Sequence, residues 1–199
     1  MILNLFTFLI IPGYTLLFVR NFNLFSLNFS VIGNMLGKRG GFCIWGLLTG
    51  AYFYWILSRI SKQLSLSRRV RFLIGTALLL LFCAVTTPYL PDELPFKAFL
   101  HIVFAMAASV CLFFFLFFAS WRLFSLDRCA GLTALWSLGG ILVLSAFLLS
   151  AVGIISSALE IFFTFSTVFL SRFLLWRGEL IEEKKQNKNE EIFQLQESH

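Results

Sequence analysis

Two ionisable side chains, His101 and Glu160, lie well inside apolar stretches of this chain. At membrane depth such groups are costly, so they mark a functional or a pairing site first of all. A neutral imidazole donates one hydrogen bond and accepts another, and a carboxyl can hold a cation, relay a proton or take a hydrogen bond. His101 stands six residues beyond Pro95, and Glu160 six beyond Ile154. At 1.5 Å per residue, each lies roughly 9 Å from the same end of its apolar stretch. Their shared depth predicts that they approach one another, with Asn34 or Arg20 as neighbours. Each also has a plain structural reading: a satisfied histidine on a packed face, and a carboxyl bonded to Ser157 or to a backbone carbonyl.

Catalysis in a membrane ordinarily needs more than this pair. A histidine-rich zinc site gathers several imidazoles and carboxylates, whereas this chain holds only His101 and the terminal His199. Serine catalysis wants a serine presented to a histidine. Ser137 and Ser145 lack a glycine-flanked setting, and no serine stands out at the depth of His101. Cys111 follows His101 by ten residues, about 15 Å along a helix. No phosphate-binding glycine loop and no dinucleotide fingerprint is present. The expectation is a protein that is not an enzyme and uses neither metal nor cofactor.

The elements that must position these residues are membrane helices. The chain of 199 residues is 59% hydrophobic, 18% aromatic and only 13% charged, where a soluble domain carries roughly 25% charge. Apolar runs near the ~20 residues needed to cross a bilayer occur at about 2–19, 42–60, 70–87, 96–119, 130–150 and 154–176. The predicted fold is an all-α polytopic bundle of six transmembrane helices over residues 1–176, followed by a charged tail at 177–199. The first run lacks a basic leader and a small-residue cleavage site, so it is expected to remain as a span.

Charge sets the direction. With alternating spans, one side holds Arg59, Lys62, Arg68, Arg69, Arg71, Arg122, Arg128, Arg172, Arg177, Lys184, Lys185 and Lys188; the other holds Arg20, Lys38, Arg39 and Lys97. The positive-inside rule then puts both termini in the cytoplasm of a cell membrane. The net charge of +6 is explained by orientation and anionic lipid, with no nucleic acid partner.

Faces follow from spacing. Ala98, His101, Ala105 and Ala108 share one side of the fourth helix, and Ser157, Glu160, Thr164, Thr167 and Ser171 draw a polar stripe down the sixth. Both faces are expected to point inward. Gly46 and Gly50 form a close helix-packing pair, and Pro12-Gly13 is a candidate break in the first helix. In "PYLPDELPFKAFLH", Asp92 and Glu93 precede a helix start, whose partial positive charge favours anions; the other reading is an outer-surface ligand contact. The loop at 20–41 is apolar for a loop and should lie over the helix ends, with Leu27 to Val31 alternating like a short strand or a surface-lying segment. The four cysteines look like buried apolar residues, with a Cys43–Cys83 bridge as the alternative.

Two outer segments, "NFSVIGNMLGKRG" and "LPDELPFKAFLHIVFAMAAS", resemble the uncharacterised bacterial six-span membrane proteins distantly similar to the DRAM-like family. The resemblance extends over residues 1–175 by topology and rests on motifs in two loops. It implies six helices, cytoplasmic termini, an outer-face cluster at Ser30, Gly33 and His101, and no established catalytic activity.

Together these features predict a bacterial membrane protein with an outer-facing polar pocket formed by His101, Glu160, Ser30, Gly33, Asn34, Asp92 and Glu93, roofed by residues 20–41 and 88–95. Its partners would be membrane lipids, an envelope component, another membrane protein or a second copy of itself. The alternative is a small oligomeric proton- or cation-linked transporter or channel.

Overall fold

The computed structural model describes residues 2–197, which form an all-α fold with no strand among them. The helices are α1 (Ile2–Val19), α2 (Phe29–Asn34), α3 (Arg39–Gln63), α4 (Arg68–Thr86), α5 (Pro95–Leu126), α6 (Arg128–Val152) and α7 (Ser157–Glu197). All but α2 are long and apolar enough to cross a membrane, which makes six spans.

Their outward side chains are as apolar as their inward ones: Leu47, Phe72, Trp136 and Phe147 are all exposed. A helix that is hydrophobic all round needs lipid, not water, as its solvent. The interior is built where α3, α5 and α7 meet, with Tyr52, Ile56, Leu57, Phe115, Leu116, Leu123 and Leu174 buried.

Local chemistry sets the helix ends. Ser67 caps α4 by accepting from the Val70 N–H at 3.4 Å, and Asp127 caps α6 by accepting from the Ala130 N–H at 3.0 Å. Gly131 lies directly against the Phe124 backbone, so the α5–α6 turn has no room for a side chain there. Pro12 does not break α1. The helix instead widens into a π turn at Phe6–Ile10 and closes with the Ile11 N–H donating to Phe6 O, which relieves the crowding that a proline ring causes in an α-helix.

The charged tail is not separate from the last span: α7 continues through Arg177 as one helix, and His199 lies outside the described residues. Where the helix leaves the bundle, Glu179 pairs with Arg172 at 3.6 Å and Arg59 at 3.9 Å, while Arg177 pairs with Asp127. The four cysteines are free, so no Cys43–Cys83 bridge forms.

Candidate functional site, a polar-headed cavity beneath a short helix

The segment at 20–34 folds over the opposite end of the bundle. Residues 29–34, predicted in part as a strand or surface segment, are a helix because Asn28 accepts from the Val31 N–H at 2.8 Å and starts a turn. Phe29, Ile32 and Gly33 then share one face, as residues three and four apart must, and that face is buried. A methyl group at Gly33 would stand 2.7 Å from Phe42 Cβ, so only glycine lets α2 sit this close to α3. The loop before α2 also caps α7: Leu27 O accepts from the Ser157 N–H at 2.6 Å, and Leu24 O from the Ala158 N–H at 2.9 Å.

His101 is buried under α2. Its Nδ1 is 2.7 Å from Ala84 O and 3.0 Å from Thr87 O, and its Nε2 is 2.6 Å from Ser30 Oγ. Carbonyl oxygens only accept, so the ring's Nδ1–H donates to them; in the neutral ring, Nε2 is left to accept from the Ser30 hydroxyl. Ala84 O is available because its usual helical partner, four residues on, would be the nitrogen of Pro88, which carries no hydrogen. The proline that ends α4 thus creates the acceptor that orients the histidine.

Glu160 accepts from the Phe29 N–H through Oε2 at 2.6 Å. It therefore holds the residue next to Ser30, and among the described residues no hydrogen bond joins it to His101. The expected direct approach is replaced by a shared grip on α2, with Glu160 on the Phe29 amide and His101 on the Ser30 hydroxyl. Asn34 ties α2 down from outside: its Nδ2 donates to Ser30 O at 3.0 Å, and its Oδ1 accepts from Arg39, which also donates to Thr86 O at 3.0 Å. Arg20 is not at this site; it borders a separate surface recess with Tyr14, Phe22 and Lys38.

Asp92 and Glu93 are exposed in the turn before α5 and do not line the cavity, which corrects their placement in a common pocket. Helix α5 starts without a side-chain cap at Leu94, so neither acid bonds its first turn. The neighbouring Tyr89 does reach the site, with its ring 5.5 Å from the imidazole centroid. Of the glycine pair, Gly46 is needed: a methyl there would lie 2.6 Å from Val85 Cγ2, while one at Gly50 would meet Leu81 Cδ2 at an ordinary 3.6 Å.

Below these groups is a cavity of about 160 Å³. Ser30, His101 and Glu160 are at its polar end; Phe53, Leu57, Leu78, Leu81 and Leu112 form its apolar walls. From Trp45 to Leu57 on α3, and from His101 to Leu112 on α5, the lining extends roughly 17 Å along the helices. Thr49 also lines it, and its Oγ1 is buried with no hydrogen-bond partner among the described residues. Two of the stripe hydroxyls of α7 bond within their own helix: Thr167 donates to Phe163 O at 2.7 Å and Ser171 to Thr167 O at 2.7 Å. Ser157 Oγ is buried with no hydrogen-bond partner among the described residues.

The Ser30–His101 contact was not legible in the spans, because Ser30 belongs to a connection and enters the bundle only when α2 folds back. The expectation that His101 has no serine partner is therefore overturned by the 2.6 Å contact. The pattern Asn28-x-x-Val31 with Phe29, Ile32 and Gly33 on one face was the signal available.

No model of a known protein family, no curated protein and no solved structure matches the chain.

Proposed function

We propose that this chain is a multi-pass protein of a bacterial cell membrane, with both termini cytoplasmic, that binds a single-chain or chain-bearing amphiphile in the cavity under α2. The carrying observation is the cavity's polarity: hydrogen-bonding groups at the α2 end and an apolar shaft below, with the unpartnered Thr49 hydroxyl in its wall. An unpaired buried hydroxyl is costly, and a ligand oxygen would satisfy it. An apolar cavity near 150 Å³ is the size that takes a benzene-sized group, so this one fits part of an acyl or isoprenoid chain.

The orientation rests on the basic residues. The end holding Arg59, Arg122, Arg172 and Arg177 would be cytoplasmic and the α2 end would face outward. The likeness to DRAM-like six-span proteins belongs to this reading, supported by Ser30, Gly33 and His101 falling at one place. Proton or cation transport draws less support, since Glu160 is held by the Phe29 amide and Thr167 and Ser171 bond within their own helix.

Native mass spectrometry of the full chain, released gently from its own membrane, tests the reading. A stoichiometric amphiphile is expected in the wild type and lost in Ala105→Trp, which fills the cavity. An adduct retained at full occupancy in that variant would place the lipid elsewhere and sink the proposal.

A further inference from the structure

Ser30 and His101 are disposed as a nucleophile and its base. We propose that they cleave a carboxylic ester of the amphiphile held in the cavity, so that the protein is a serine esterase acting on a membrane lipid. The inference rests on the amphiphile-binding reading of the same cavity.

Three features carry it. The Ser30 Oγ to His101 Nε2 distance of 2.6 Å is within the reach at which a histidine takes a proton from its nucleophile. The imidazole is held by Ala84 O at 2.7 Å and Thr87 O at 3.0 Å, which fix the Nδ1–H tautomer and leave the Nε2 lone pair for the serine. Those carbonyls do what a carboxylate does in a serine–histidine–aspartate triad: they set the ring's orientation and tautomer. Finally, both side chains line the cavity. A bond that only fastened α2 would gain nothing from an adjoining void, whereas a nucleophile needs room for an acyl group beside it.

The steps balance with water as the only co-reactant. Ser30 Oγ attacks the ester carbonyl carbon while its proton passes to Nε2. The acyl carbon–oxygen bond to the alcohol breaks, and the departing oxygen takes the proton from Nε2, leaving the acyl group on Ser30. Water then gives a proton to Nε2 and attacks the acyl carbon; Ser30 Oγ departs and recovers that proton, and a fatty acid is released. The acyl chain would lie along Phe53, Leu57 and Leu112, with the ester at the α2 end.

The full-length protein in detergent is treated with a long-chain alkyl fluorophosphonate, and in parallel with a diether phospholipid, which has no ester to cleave. The expected result is one covalent phosphonyl group on Ser30, found by peptide mass spectrometry, absent in Ser30→Ala and formed at least ~100-fold more slowly in His101→Gln. The diether should be retained in native mass spectra of the wild type. Wild-type protein that retains the diether yet gains no phosphonyl group on Ser30 would overturn the esterase and leave the binding reading standing. Labelling that persists in Ser30→Ala would also overturn it. Failure to retain the diether would remove the binding reading and the esterase with it.

Discussion

Ser30 Oγ and His101 Nε2 are 2.6 Å apart although 71 residues separate them in the chain, and the imidazole between α2 and the end of α4 links three elements at once. Removing the ring strands the Ser30 hydroxyl and the Ala84 carbonyl in a buried place, at about 1–3 kcal/mol. His101→Ala is therefore expected to cost more than Ser30→Ala. A double-mutant cycle by equilibrium unfolding in mixed micelles should give a coupling of about 1 kcal/mol; a cycle that closes to within a few tenths would show the contact to be energetically idle.

Gly46 and Gly50 are four residues apart but face different neighbours. Gly46→Ala drives a methyl to 2.6 Å from Val85 Cγ2, while Gly50→Ala leaves 3.6 Å to Leu81 Cδ2. Overpacking typically costs about 1–3 kcal/mol, so Gly46→Ala should lower the thermal midpoint in detergent and Gly50→Ala should leave it unchanged or raise it. Gly33→Ala, at 2.7 Å from Phe42 Cβ, should behave like Gly46→Ala. Equal midpoints for the variants at 46 and 50 would contradict the packing described.

The Phe29 amide reports on the attachment of α2. Glu160→Gln keeps an oxygen to accept from it, whereas Glu160→Ala leaves it without its 2.6 Å acceptor. Losing a buried acceptor of roughly 1–3 kcal/mol corresponds to hydrogen exchange faster by about 5- to 150-fold. Glu160→Ala should show that acceleration at Phe29 and Glu160→Gln much less of it. Unchanged protection in Glu160→Ala would mean that other contacts hold α2.

Asp127 gives the molecule an acid-sensitive joint outside the spans. The Ala130 N–H first, and the Arg177 guanidinium second, hold its carboxyl below the ordinary value of 3.8. A carboxylate lowered on folding stabilises the native state above its unfolded value, and that contribution is lost as pH falls through the folded value. Asp127→Asn keeps a capping oxygen but loses the ion pair, so at pH 7 it should cost only about 0.2–1 kcal/mol. Asp127→Ala loses the cap as well and should cost about 1–2 kcal/mol. The gap between wild type and Asp127→Asn should shrink below pH 3.8; a gap that persists in acid would assign the effect to something other than this charge.

Apolar run length, charge placement and helical spacing are enough to fix the six spans, the basic bias toward one end, and the inward faces of α5 and α7. Each of these is a local or periodic property: hydrocarbon solvent demands continuous apolar helices, and spacings of three and four decide which side chains share a face. Ala98, His101 and Ala108, and Ser157, Thr164, Thr167 and Ser171, are all buried as that rhythm requires. Even Pro88, plain in the sequence as a helix end, carries the freed Ala84 carbonyl with it.

What those faces meet depends on packing between segments distant in the chain. The partner of His101 comes from a connection, and the Phe29–Asn34 helix finds its place through contacts with Phe42, Glu160 and Arg39 that are distant in the chain. Depth alone put His101 and Glu160 at one level; the folded-back helix gives each its own partner, the Ser30 hydroxyl for one and the Phe29 amide for the other. Asp92 and Glu93 show the converse, since nearness to His101 in sequence did not bring them to the cavity. A helix fixes direction and depth along its own axis, but which group lies across the gap depends on how a connection packs, and no period along the chain encodes that.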